Sequence, residues 1–265
     1  MSFEKCQAVV LRTVEWSETS LIVTLFTDSF GKIGAIAKGA KRLKSPFESA
    51  LDLLSRSSVV FMMKSGDSLD LLLEAKLQRR FRGVQAGLLP LYCGYYAGEL
   101  INALTENHQP IPGMLDSLSR TLEQLETGNH PAETILNFEL DTIRRLGHLP
   151  SWQWCVACGE AIENDRPTVA FSTAGGGVVC PQCVPMHRQI LRIQGKTLQI
   201  LMECSHGAEC SDGELRVRES TGLSTSTPPN VRSEIRTVME SILQYHADRR
   251  LRMLEYLEEI GRAHV

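Results

Sequence analysis

The chain has no run approaching the roughly 20 consecutive apolar residues that a bilayer-crossing helix requires. A secretory leader is not expected either. Met1-Ser2-Phe3-Glu4-Lys5 carries neither a basic opening nor an apolar core, so a reducing, cytoplasmic setting is expected. No G-x-S-x-G elbow, H-E-x-x-H helix or G-x-x-x-x-G-K-[ST] loop occurs, and the 7 histidines are scattered. Serine-nucleophile chemistry, zinc-dependent proteolysis and P-loop nucleotide hydrolysis therefore have no anchor, and the chain is expected not to be an enzyme. Gly175-Gly176-Gly177 reads as a turn, because no helix with a lysine follows it. Aromatic residues make up only 6% of the chain. With few of them and no base-reading motif, any nucleic-acid contact is expected to be sequence-independent and directed at the backbone. No internal repeat is apparent.

What the chain does have is a globular composition, 43% hydrophobic and 22% charged over 265 residues, enough for two domains. The net charge of −3 is unevenly spread. Residues 1–82 hold 13 Lys+Arg against 9 Asp+Glu, net +4, while residues 83–265 hold 15 against 22, net −7. A basic first third facing an acidic remainder fits a polyanion-binding N-terminal domain, although a solvated basic face gives the same count.

Residues 1–82 alternate in the manner of strands. Ala8–Leu11, Leu21–Thr27, Ile33–Lys38, Val59–Met63 and a stretch from Leu69 to Ala75 predict five strands. Turns fall at 28–32 and 64–67. Five strands in so short a span fit a small closed barrel, and an OB-type barrel is the natural candidate. From Val84 the period becomes helical. Helices are predicted over Leu88–Leu104, from Pro112 to Glu126, from Pro131 to Leu146 with Gly147 closing it, from Pro185 to Cys204 with Gly195 as an interruption, and from Arg232 to Glu258. On the last of these, Val231, Ile235, Val238, Ile242, Tyr245, Leu251 and Leu254 are expected to face inward. The stretch 211–230 reads as an irregular link.

Of the 8 cysteines, four stand in pairs: Cys155-x-x-Cys158 and Cys180-x-x-Cys183. A C-x-x-C turn aims two thiolates at one centre, and two such turns supply the four soft ligands of a closed structural zinc site. Thr168–Phe171 and Gly177–Val179 read as two short strands between the pairs, making a zinc ribbon at about 152–184 inserted in the helical domain. Two disulfides, or a chance spacing, are the alternatives. Cys6 and Cys93 sit among apolar neighbours and read as buried small hydrophobes. Cys204 and Cys210 flank His206 and read as free thiols.

Two basic clusters stand at barrel strand ends: Lys38, Lys41, Arg42 and Lys44 after the third strand, and Lys76, Arg79, Arg80 and Arg82 after the fifth. Together they are the candidate DNA-binding residues, since lysine and arginine on phosphates release condensed counterions. Trp16, Phe30, Phe47 and Phe81 are the local candidates for stacking on bases, with Phe30 at a loop tip the best placed.

Several segments in order carry a family resemblance. Val10-Leu11-Arg12-Thr13 followed by Glu18-Thr19-Ser20-Leu21-Ile22-Val23-Thr24-Leu25-Phe26-Thr27 opens the chain. Gly31-Lys32 and Ala37-Lys38-Gly39-Ala40-Lys41-Arg42 follow. Phe138-Glu139-Leu140 and Leu146-Gly147-His148-Leu149-Pro150 precede Cys155, and Tyr245-His246 and Arg250-Leu251-Arg252 come near the end. Their order and spacing resemble the RecO family of bacterial recombination mediators. The resemblance covers most of the chain, with a basic loop thinner than in many members because Leu43 and Pro46 interrupt it.

The resemblance implies an α+β multidomain chain: an OB-fold DNA-binding domain over 1–82, then a helical domain over 83–265 with an inserted four-cysteine zinc ribbon holding one structural Zn2+. It further implies binding of single- and double-stranded DNA, strand annealing, and action with RecR to load RecA onto DNA coated by single-strand-binding protein. The acidic, hydrophobic C-terminal tail of that protein would dock in the helical domain. The competing reading is a zinc-ribbon adaptor that binds proteins without touching DNA. The closing segment Glu259-Ile260-Gly261-Arg262-Ala263-His264-Val265 reads as translated sequencing adapter rather than native tail.

Overall fold

The computed structural model describes residues 2–47, 49–64, 66, 68–163, 166–206, 227–247 and 250–263, with 258–263 described by backbone alone. Cys210, most of the link at 211–230 and the side chains of the closing segment lie outside the described residues. The chain forms two compact units, Met1–Phe138 with Arg249–Val265, and Glu139–Asp248.

In the first unit, β1 (Phe3–Glu15), β2 (Leu21–Thr27), β3 (Gly31–Ala37), β4 (Arg56–Met62) and β5 (Asp70–Arg79) close into a barrel in the order β1-β2-β3-β5-β4. Antiparallel pairing of β4 with β1 completes the ring, and β3 runs parallel to β5 from Ala35↔Asp70 to Ala37↔Leu72. This is the five-stranded OB-type barrel that the alternation implied. Strands of a filled barrel must alternate inward and outward, and β3 does so without a fault, with Ile33, Ala35 and Ala37 buried. Small residues suit so narrow an interior: Ala8, Ala35, Ala37, Ala50 and Ala75 share it with Val10, Val23, Leu25, Phe47, Phe61 and Leu72. Two strands are longer than the sequence reading had them. β1 begins at Phe3, and β5 runs on through Arg79, so Lys76 and Arg79 stand on the strand rather than beyond it.

α1 (Gly83–Ala86), α2 (Leu88–Leu104) and α3 (Met114–Glu126) follow, and α2 and α3 both pack on β1. The helical layer is pinned to the barrel at Gly31, where φ is +65° and an added Cβ would lie 2.1 Å from the Gln109 carbonyl oxygen. Only glycine fits there. Beside it, Lys32 Nζ donates to the Asn102 carbonyl oxygen at 2.9 Å and to that of Thr105, so a cation sits on the C-terminus of α2.

α4 (Pro131–Arg145) leads into the second unit. There β6 (Thr168–Ser172), β7 (Gly177–Val179) and β8 (Leu191–Gln194) form a sheet in the order β7-β6-β8, against which α5 (Gly195–His206) and α6 (Pro229–Ala247) pack. α7 (Arg252–Ala263) returns to the first unit and packs on α2.

Two expected helices differ from the sequence reading. Residues 185–194 form no α-helix. A short 3-10 turn at Val184–Met186 leads to β8, which gives the ribbon a third strand paired with β6 from Thr168↔Gln194 to Phe171↔Leu191. Its apolar Leu191 and Ile193 suit a strand as well as a helix, and a partner strand distant in sequence decides between them. The expected final helix is two, α6 and α7; Leu251, in the chain that links them, is buried. Val231, Ile235, Val238, Ile242 and Leu254 are buried as expected, but Tyr245 is exposed.

Candidate metal centre and nucleic-acid interface

Each cysteine pair of the ribbon sits on a tight backbone knuckle. In the first, the Cys155 N–H donates to the Glu160 carbonyl at 2.8 Å and the Gly159 N–H to the Cys155 carbonyl at 2.8 Å. Gly159 takes a φ of +75°, which lets the chain turn back beneath the two thiols. In the second, the Cys183 and Val184 N–H groups both donate to the Cys180 carbonyl, at 3.0 and 3.1 Å. The Val156 N–H donates to the Val178 carbonyl at 3.0 Å and ties the first knuckle to β7.

The sulfurs of Cys155, Cys158, Cys180 and Cys183 all lie within 4.8 Å of one another, with Cys158 and Cys180 at 3.7 Å. Four sulfurs about 2.3 Å from a tetrahedral centre stand roughly 3.8 Å apart, so the cluster is close enough to hold a metal ion. All four are free thiols, which removes the disulfide alternative, and Cys158 alone is exposed. Burial pushes the Cys155 thiol up, but N–H groups of Cys180, Cys158 and Ala157 outweigh it and hold the group down to about 6. Cys183, hydrogen-bonded to Cys180 and partly desolvated, is pushed up to about 12. Of the cysteines outside the ribbon, Cys6, Cys93 and Cys204 are buried, and burial beside Asp28 raises Cys6 to about 12, consistent with an inert core thiol.

All eight basic candidates of the barrel domain are exposed. The chain between β3 and β4 runs back along β5: the Ala75 N–H donates to the Pro46 carbonyl at 3.5 Å, which sets that loop next to the strand carrying Lys76. Not every charge is available. Arg79 pairs with Glu126 at 2.6 Å and Glu123 at 3.4 Å, Arg80 with Asp52 at 3.1 Å, and Lys41 with Glu15 at 2.9 Å. Lys38, Arg42, Lys44, Lys76 and Arg82 make no salt bridge among the described residues. The acidic partners lie far off in sequence, so composition alone gave no sign of them.

The four stacking candidates separate clearly. Phe47 is buried in the barrel. Phe81 packs on α2, where a Cβ on Gly94 would fall 2.4 Å from its ring. Phe30, the expected favourite, is turned inward: its N–H donates to Thr27 Oγ1 at 2.9 Å and its ring meets Phe61 edge-on at 5.4 Å. Trp16 alone stands out in solvent.

Comparison with known proteins agrees with this architecture. A family model described as "Recombination protein O N terminal" matches residues 1–81, and "Recombination protein O C terminal" matches 87–255. The chain is 44% identical over 202 residues to "DNA repair protein RecO" of Rhodopirellula baltica, covering 76% of this chain and 75% of that one. It is 31% identical over 261 residues to the protein of the same name from Anaeromyxobacter dehalogenans strain 2CP-1, covering 98% of each. These matches run the length of both units, and the chain belongs to the RecO family.

Proposed function

We propose that this chain is a DNA-repair mediator that acts by binding rather than by catalysis. It binds single- and double-stranded DNA through the basic loops of the barrel and anneals complementary strands. With RecR it helps to load RecA onto DNA coated by single-strand-binding protein, whose C-terminal tail docks on the helical domain. It works in the bacterial cytoplasm, at the nucleoid. The observation that carries this reading is an OB-type barrel bearing exposed Lys38, Arg42, Lys44, Lys76 and Arg82, which make no salt bridge among the described residues, in a family whose relatives are named DNA repair proteins. Cations that neutralise phosphates let two strands approach, and contacts confined to the backbone leave the base edges free to pair.

The four cysteines would hold one Zn2+, chosen over other metals by four thiolates in a tetrahedral arrangement. Filled by four protein ligands, the site keeps no position for water. The ion would cross-link the 155–158 and 180–183 knuckles and so fix the position of the two turns on the ribbon sheet.

The test is binding of labelled single-stranded DNA at two salt concentrations, with zinc assayed in the same sample. Affinity that falls steeply with salt, followed by acceleration of strand annealing, is the expected result. No binding at low salt by folded, zinc-loaded protein would overturn the reading in favour of a ribbon adaptor that contacts proteins alone.

A further inference from the structure

Resting on the DNA-binding reading above and deepening it, we propose that Trp16 is a stacking platform for the bases of single-stranded DNA. Trp16 is 64% exposed at the turn between β1 and β2. Exposure alone says little, since single surface hydrophobes are ordinary. Three further observations give it meaning.

The turn is held in place. The Trp16 N–H donates to the Ser20 carbonyl at 3.1 Å, and the Ser20 N–H donates to Ser17 Oγ at 3.2 Å. The Lys41 N–H donates to the Thr19 carbonyl at 3.0 Å, which straps the turn to the basic loop. An indole on a fixed backbone loses less freedom on contact than one on a swinging loop.

Trp16 also extends an apolar strip. The strand register sets Val14 opposite Ile22, Ile22 opposite Ile36, and Ile36 opposite Leu71. Residues directly opposite share a face, and the alternating Val23, Ala35 and Leu72 fill the barrel, so these four face outward. None of the four is fully buried, and Val14 is 39% exposed. Trp16 lies two residues beyond Val14 and continues the strip past the strand end.

Cations border the strip. Arg12 lies one outward position back from Val14, opposite Thr24, and is exposed. Lys38 follows Ile36 by two residues, and Lys41 and Arg42 lie on the loop strapped to Thr19. Against these stand Glu15, already paired with Lys41, and Glu18. An apolar surface ending in an indole and edged with positive charge matches an unpaired strand, which offers base faces and phosphates together. A duplex hides its base faces in the stack, so the strip favours single strands.

The experiment compares the wild type with Trp16→Ala and Trp16→Phe. Each is titrated with labelled oligo-dT and with an abasic oligonucleotide of equal length and charge. Trp16→Ala is expected to weaken oligo-dT binding about 5- to 150-fold, the range measured for loss of one base–aromatic stack. Trp16→Phe should retain most of the affinity. On the abasic strand, wild type and Trp16→Ala should bind equally. The salt slope should not change, because no phosphate contact is lost. Circular dichroism and the unfolding midpoint check that the surface variants are folded. Equal binding of oligo-dT by wild type and Trp16→Ala overturns the proposal and leaves barrel–DNA binding standing. Equal losses on both strands also overturn it, because Trp16 would then position the basic loop. No wild-type binding to either strand overturns the DNA-binding reading and this proposal with it, and assigns the strip to a protein partner.

Discussion

Glu99 on α2 caps a helix that begins 153 residues later: its carboxylate accepts the N–H of Arg252 at 2.9 Å and of Met253 at 2.8 Å. The first N–H groups of a helix have no partner within it, and an anion at that end also meets the positive pole of the helix dipole. Tyr92 and Tyr256 stack beside the cap, ring centroids 6.0 Å apart and nearly parallel at 5°. The chain's last helix is thus held to the barrel unit by one carboxylate and one aromatic pair.

Replacing Glu99 with Ala should therefore destabilise the first unit by about 1 kcal/mol, the usual cost of a lost helix cap. Glu99→Gln, which keeps an acceptor and loses the charge, should fall between. Denaturant unfolding measures both. A Glu99→Ala midpoint equal to wild type would show that the tyrosine pair and apolar packing hold α7 unaided.

Metal removal gives a second expectation, with a sign. Ligating thiols must be deprotonated, so metal uptake releases protons and apparent affinity falls as pH falls. Cys155, held down to about 6, loses its proton more readily than Cys183, pushed up to about 12, whose proton is released to solvent when the ion binds. A chelator should strip the ion more readily at pH 6 than at pH 8, with loss of ribbon structure. Cys180→Ser should lower the metal content from about one per chain, the stoichiometry of a single four-thiolate site. Unchanged metal content in that variant would mean the ion sits elsewhere.

The parts legible in the sequence are those set by local chemistry. β2 falls on Leu21–Thr27 and α2 on Leu88–Leu104 as their periods implied, and the four cysteines converge as their spacing implied. The misread parts depend on distant partners. Residues 191–194 become a strand because β6 offers them an edge. Phe30 reads as a loop-tip aromatic in the sequence, yet its N–H is held by Thr27 Oγ1, Gly31 after it is left-handed, and its ring meets Phe61. The acidic partners of Arg79 and Arg80 are likewise 47 and 28 positions away along the chain, from Arg79 to Glu126 and from Asp52 to Arg80. Periodicity shows which face of an element is apolar, but not what covers it.

In the second unit, His148 and His246 stack with ring centroids 4.2 Å apart. Burial first, and the neighbouring His148 second, lower the His246 pKa from 6.5. A folded-state value below the unfolded one means the unfolded chain binds more protons as pH drops through that region. The stabilising effect is present above pH 6.5 and is lost as pH falls toward the depressed value. The unfolding midpoint should accordingly decline between pH 7 and 5.5, and His246→Phe should flatten that decline. An identical pH profile in the variant would place the sensitivity in other groups.

Lys41 and Arg42 are neighbours in sequence but not in electrostatics, since Lys41 is paired with Glu15 and Arg42 has no salt bridge among the described residues. Each phosphate contact to a single strand contributes about 0.7 to the slope of log K against log salt. Arg42→Ala should therefore weaken DNA binding and flatten that slope by about 0.7. Lys41→Ala should do less, because Glu15 competes with phosphate for the ammonium. Glu15→Gln should act in the opposite direction, freeing Lys41 and tightening binding at low salt, an advantage that fades as salt screens the contact. Anisotropy titrations with one oligonucleotide at several salt concentrations measure all three variants. If Glu15→Gln leaves affinity unchanged while Lys41→Ala and Arg42→Ala weaken it equally, the exposed Glu15 pair is too weak to compete with phosphate, and the two cations act as one patch.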